Sequence, residues 1–300
     1  MVCSCEQDNE KLVQYARLVS LAGIVSVCTA ATLIVIRIIA LLLTDSSAIL
    51  ASLTDSVMDI CSSIFNLIAI KYAMMPADKD HHYGHWKAEA LSGIGQCAFI
   101  SGSALFLVFH GIMRIMHPQK IENIDVGMVV TVIAMIMTIG VVILQTYVAR
   151  KTNSVAIKAD RLHYASDILL NIGVLVSLFL SHFGVIQADG IFAVLLGFYI
   201  FGSAIGIFRG AIRILLDAEL PQEDIAKIET TILEVPGVSG LHDLRTRQSG
   251  PCQFIQAHLE IDKDLTLERA HEVADAAENA VHEIFPEADI TLHMEPVMKH

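Results

Sequence analysis

SAILASLTDSVMDICSSIFNLIAIKY, residues 47–72, is long and apolar enough to cross a bilayer, yet it carries Asp55 and Asp59 in its interior. A hydrocarbon core of ~30 Å takes about 20 residues of helix. An ionised side chain near its middle costs roughly 2.5–3.5 kcal/mol on insertion scales, so two acids there need a partner. Their i, i+4 spacing puts both carboxylates on one helix face, about 6 Å apart. A second apolar stretch, residues 157–180, repeats the arrangement with His163 and Asp167. Two helices each presenting such a pair supply three carboxylates and one imidazole, a donor set that a tetrahedral divalent ion accepts at ~2.0–2.2 Å. Hydrogen bonding to Asn66 or Asn171 is the alternative; it accounts for one isolated aspartate better than for two pairs on two spans.

Outward from these two, residues 18–43, 90–116, 126–148 and 189–208 also have the required length, which predicts a six-helix all-α membrane domain. The composition agrees: at 54% hydrophobic, 17% charged and a mean hydropathy of +0.58, the chain is too apolar for a soluble protein of 300 residues. The first span follows the acidic run 6–10 and exceeds a signal-peptide core, so it reads as retained, with no cleaved targeting segment. With both termini cytoplasmic, eleven Lys and Arg fall on the inner side and two on the outer, Arg114 and Lys120. Arg37 reads as a snorkelling anchor. All seven prolines lie in loops or in the tail, which favours ligands on continuous helices over unwound backbone. Gly202, Gly206 and Gly210 recur at four-residue intervals and predict helix packing or a dimer contact. His110 and His182 read as structural, and Cys28, Cys61 and Cys97 as small hydrophobes.

The charge is not evenly spread. Residues 1–216 carry 14 basic and 14 acidic side chains, whereas residues 217–300 carry 6 and 18, so the net −12 belongs to an acidic second domain. The expected division is therefore 1–216, a transport body, and 217–300, a small soluble module. No clustered basic face exists for nucleic acid. The tail reads as α-β-β-α-β: helix over 221–235, strands over 240–247 and 253–261 around Ser249-Gly250-Pro251, a helix over 266–285 and a strand over 289–294. His242, His258, His271, His293 and Glu295 are ligand types on its separate elements. Between spans two and three, Asp78, His81 and His85 are spaced so that one turn could bring them to one ion. No Gly-Lys pair exists, hence no Walker A loop and no expected use of ATP, and no H-E-x-x-H marks a zinc protease. An ion-gradient transporter is the expected class, with an uncoupled divalent-cation channel or a membrane metal sensor as alternatives.

Five segments taken together resemble the cation diffusion facilitator family of divalent-metal efflux transporters. They are Ser52 to Asp59, Pro76 to His85, Leu162 to Asp167, Leu241 to Gly250 and Phe254 to His258. The resemblance implies a transporter and not an enzyme, with a ferredoxin- or metallochaperone-like cytoplasmic domain, in the bacterial inner membrane. It implies a transport site of Asp55, Asp59, His163 and Asp167 and a loop site of Asp78, His81 and His85. It also implies a cytoplasmic cluster of His242, His258, His271, His293 and Glu295 that bridges or stabilises a homodimer. The implied cargo is zinc, with iron(II) or cadmium as relatives in charge and size, exchanged for protons by alternating access. Lys87 and Asp217 match a charge interlock of the family. Glu295 stands where close relatives have Asp, and Trp86 where they have a small residue.

Overall fold

Six long helices precede a short α/β tail in this computed structural model, which describes residues 10–44, 47–117, 125–182 and 187–297. The helices are α1 (Glu10–Thr44), α2 (Ser47–Ala73), α3 (Lys87–Met116), α4 (Asp125–Thr152), α5 (Val155–His182) and α6 (Ala188–Leu215). Among the described residues, five stretches are long and apolar enough to cross a membrane: Lys11–Leu43, Ser56–Ala73, Lys87–Met116, Val130–Thr152 and Gly190–Leu215. The remaining helix, α5, also has 28 residues but carries Lys158, Asp160, Arg161, His163 and Asp167 in its first half. Several helices outrun the apolar stretches that predict them; α1 begins at Glu10 and α6 continues to Leu215. A helix satisfies its own backbone, so nothing forces it to stop where the hydrocarbon does.

Close packing in the body uses different glycines from those the four-residue spacing suggests. A Cβ on Gly190 would stand 2.7 Å from the Gly111 carbonyl oxygen, and one on Gly197 would stand 2.5 Å from Val108 Cγ2, so α6 lies against α3 there. Ala204 and Ala211 continue that seven-residue stripe and are fully buried. Gly202, Gly206 and Gly210 point elsewhere and have nothing within 4 Å of such a Cβ. Arg37 Nη1 donates to Ser56 Oγ on α2.

The tail contains α7 (Gln222–Leu233), β1 (Val238–Ser249), β2 (Cys252–Ile261), α8 (Leu267–Ile284) and β3 (Ala288–Pro296), the predicted α-β-β-α-β order. Pro221 precedes α7, and the Thr266 side chain caps α8 by accepting from Arg269 N. β1 and β2 form an antiparallel hairpin that turns at Gly250, and β3 pairs parallel to β2, giving the order β1-β2-β3. Ile228 and Ile232 of α7, Ala277 and Val281 of α8, and Ile255 and Leu259 of β2 close the core. Two compact units result. One gathers the tail from Arg213 onward with Met75–Lys87 and the first turns of α1; the other holds the rest of the six helices.

Candidate metal centres

α2 and α5 carry the first group. Asp59 Oδ1 lies 3.1 Å from His163 Nε2, and Asp167 Oδ2 lies 3.9 Å from the same nitrogen. Each residue offers a ligand atom within 4.8 Å of the others. An ion with bonds of ~2.1 Å to a tetrahedral donor set holds its ligand atoms about 3.4 Å apart, so this spacing suits a single small dication. The side chain of Asp55 lies outside the described residues, as does that of His182. Asp55 itself is one turn before Asp59 on α2, which shares its face. The polar neighbours are otherwise engaged. Asn66 Oδ1 accepts from Ser92 Oγ, and Asn171 Nδ2 donates to the backbone carbonyl of Asp167. The Tyr164 hydroxyl, fixed by Ser63 Oγ at 2.9 Å and the Ser26 carbonyl at 3.2 Å, sits edge-on to the His163 ring.

The second group is the turn between α2 and α3. Asp78 Oδ1 accepts from the backbone N–H groups of His81 (2.7 Å) and Asp80 (2.9 Å). The backbone bond from His81 is the main cause that holds the Asp78 carboxyl below its ordinary value; desolvation opposes it, and the backbone bond from Asp80 adds to the lowering. His81 Nδ1 lies 3.2 Å and His85 Nε2 3.3 Å from the Asp78 carboxylate oxygens. His85 is buried, and its Nδ1 faces the Met75 carbonyl at 3.3 Å; an N–H there leaves the Nε2 lone pair for a ligand. Aromatic contacts fasten this turn to the hairpin. Tyr83 packs edge-on to Phe254, and the Arg247 guanidinium lies over both rings, at 4.9 and 4.5 Å. Trp86, 8% exposed, meets Tyr15 edge-on, and a Cβ on Gly250 would come within 3.0 Å of it. Lys87 Nζ reaches Asp217 at 2.8 Å.

The third group runs across the sheet. Strand register sets His242 opposite His258 and His258 opposite His293, with ring centroids 5.2 and 5.0 Å apart. Glu295 joins them: one carboxylate oxygen is 2.9 Å from His258 Nδ1 and the other 3.2 Å from His242 Nε2. His242, His258 and Glu295 offer ligand atoms within 4.8 Å of one another, and His293 Nε2 lies 3.7 Å from Glu295. His271 stands apart on α8, 3.7 Å from Asp275. Glu260 and Asp243, which the sequence reading does not single out, approach His242 and His258 at 3.8 and 3.9 Å. Glu260 has a signal, parity, being two residues beyond His258 on β2 and therefore on the same sheet face; Asp243, adjacent to His242 at an irregularity of β1, has none. His110 remains an isolated ring stacked on Phe106.

Comparison with known proteins places these features in a family. The cation efflux transmembrane domain matches residues 23–216, and the cation efflux protein cytoplasmic domain matches residues 220–297. The cation-efflux pump FieF of Klebsiella pneumoniae is 46% identical over 282 residues, 94% of each chain. FieF of Shewanella oneidensis is 47% identical over 284 residues, 95% of this chain and 96% of that one. The solved carboxy-terminal domain of MamM is 26% identical over 25% of this chain and 98% of its own, with a TM-score of 0.25.

Proposed function

We propose that this chain, which belongs to the cation efflux family, is a multi-pass membrane transporter that exports a divalent metal ion in exchange for protons. The observation that carries the reading is the convergence of Asp59, His163 and Asp167 from two helices onto one point. Asp55, one turn from Asp59, completes a four-ligand transport site. Zinc is the proposed cargo, with iron(II) and cadmium as alternatives of the same charge; carboxylate and imidazole donors accept all three, and the affinity order favours zinc over iron(II). Residues 1–216 carry transport and residues 217–300 form the cytoplasmic part, with both termini on the cytoplasmic side of the bacterial inner membrane. The loop group and the sheet group, the latter extended by His293 and by His271, bind further metal; the sheet group stabilises a homodimer.

The exchange follows from the ligands. Imidazole and carboxylate must be deprotonated to hold a metal, so protons arriving from the other side displace it. Moving a dication against 100 mV costs roughly 4.6 kcal/mol, and one entering proton returns about 2.3 plus ~1.4 per pH unit. A second proton makes the cycle electroneutral. Driven this way, transport needs no nucleotide, and its remaining surroundings are lipid.

Proteoliposomes loaded with a metal dye and a pH dye test the reading. Wild type is expected to move zinc and protons in opposite directions. Asp59→Ala and His163→Ala, folded by circular dichroism, are expected to move neither. Zinc flux without proton flux would make the protein a channel, and zinc binding without flux would make it a sensor.

A further inference from the structure

Four helices of the body meet at a carboxylate that the transport site does not use. Asp160, near the start of α5, is fully buried. Its Oδ2 accepts from Ser26 Oγ on α1 at 2.8 Å and from Gln145 Nε2 on α4 at 2.6 Å. Its Oδ1 has no hydrogen-bond partner. Two amides beside it are equally incomplete. Gln145 Oε1 is unpartnered, and so are both amide atoms of Gln96 on α3, whose side chain faces the same carboxylate without completing a bond of proper geometry. Gln96 and Gln145 are themselves buried, so bulk water does not supply what is missing.

The inventory identifies the missing component. Three acceptor atoms stand open, Asp160 Oδ1, Gln145 Oε1 and Gln96 Oε1, against one open donor atom, Gln96 Nε2 with its two N–H. A hydrogen on Asp160 Oδ1 converts one of those acceptors into a donor, leaving two open acceptors where there were three. It also removes a negative charge that no Lys or Arg side chain bonds among the described residues. We propose that Asp160 is a proton-binding site of the membrane body, separate from the metal ligands, that is loaded and emptied once in each transport cycle. The step is COO⁻ + H⁺ ⇌ COOH, with no other bond made or broken. It rests on the transport reading above and locates one of the protons that reading requires.

Position supports the coupling. Asp160, His163 and Asp167 lie along one stripe of α5, and residues three apart on a helix are neighbours. No hydrogen bond or ion pair joins Asp160 to Asp59 or His163 among the described residues, so a dication at the transport site acts on Asp160 by charge alone. Occupancy of that site expels the proton, and departure of the metal readmits it. The titratable groups that face Asp160 are His163 and Tyr164 on its own helix. From α1, α3 and α4 come Ser26, Gln96 and Gln145, which do not titrate.

The test uses the full chain in proteoliposomes with zinc as the metal. Asp160→Asn keeps the shape and replaces the O–H by a permanent donor. Protons moved per zinc are expected to fall by about one, and zinc binding at the transport site is expected to weaken and to lose part of its pH dependence, because the coupling between the two sites is reciprocal. Infrared difference spectra of wild type are expected to show a protonated carboxylic acid that Asp160→Asn removes. This second readout needs no transport: a wild type that moves no zinc refutes the functional reading and leaves the proton site to be judged on the spectrum. Should Asp160→Asn fail to fold, Ser26→Ala decides. It removes one donor to the ionised oxygen, so the infrared titration is expected to move to higher pH. An unchanged proton ratio and spectrum in folded Asp160→Asn, an unshifted Ser26→Ala, or proton flux replaced by a requirement for sodium would each overturn the proposal.

Discussion

Trp86→Ala should weaken metal binding at a site whose ligands it leaves intact. The ring is 8% exposed and wedged between Tyr15 and the backbone of Gly250. A buried aromatic covers about 150–250 Å² of apolar surface, and truncating one in a core costs about 3–5 kcal/mol. Trp86 adjoins His85, so this loss bears on the docked form of the turn, in which Asp78, His81 and His85 face one another. A binding-competent state that becomes a minority weakens apparent affinity in proportion to its population. Even half of the packing loss expressed this way, about 2 kcal/mol, is more than a tenfold rise in Kd. Gly250→Ala strikes the same contact from the opposite side. The position has φ +58, and its new Cβ would press on Trp86 at 3.0 Å. Zinc titration calorimetry on full-length protein, with Asp59 and His258 replaced by alanine so that the loop site is read alone, measures both variants. A Kd within twofold of the parent, in a variant whose tail stays folded by circular dichroism, would refute the argument that packing of Trp86 organises the site.

Two further expectations concern the tail and the turn. Leu259→Ala empties a fully buried position on the central strand; a loss of about 2–5 kcal/mol is expected, read as earlier urea unfolding of the tail by hydrogen exchange, and a loss below 1 kcal/mol would show that the core collapses around the gap. Because the Asp78 carboxyl is held below its ordinary value, mainly by the His81 backbone N–H, its contribution to the turn is fully present above the unfolded value and disappears as pH falls through the lower folded one. Exchange protection of the Asp80 and His81 amides is therefore expected to persist through the neutral range and vanish only in acid. Loss of protection near neutrality would contradict the assignment.

Much of this molecule is legible in its sequence because the chemistry is periodic. Asp55 and Asp59, then His163 and Asp167, announce a shared face by i, i+4 spacing, and the α-β-β-α-β order follows from Pro221, the Ser249-Gly250-Pro251 turn and the amphipathic run that becomes α8. Asp160 escapes because it has no acidic partner four residues away, and it stands between Lys158 and Arg161 near a helix start, where charged side chains are ordinarily solvated. Gln96 and Gln145 carry no charge to flag them. The alignment of His242, His258 and His293 depends on register, which a bulge between His242 and Arg245 alters, and no local pattern encodes a bulge. The glycines are legible only in part: a four-residue interval and a seven-residue interval coexist on α6, and the packing against α3 uses the seven-residue one.

The row of imidazoles is completed by the last strand of the tail. Glu295 meets His258 only after β3 has been laid beside β2, across 37 residues of chain. Until then the hairpin presents His242 and His258 with Asp243 and Glu260, but without the carboxylate that touches both rings. A divalent ion held by both rings and by Glu295 at once therefore requires the closed sheet, so such occupancy reports a finished tail.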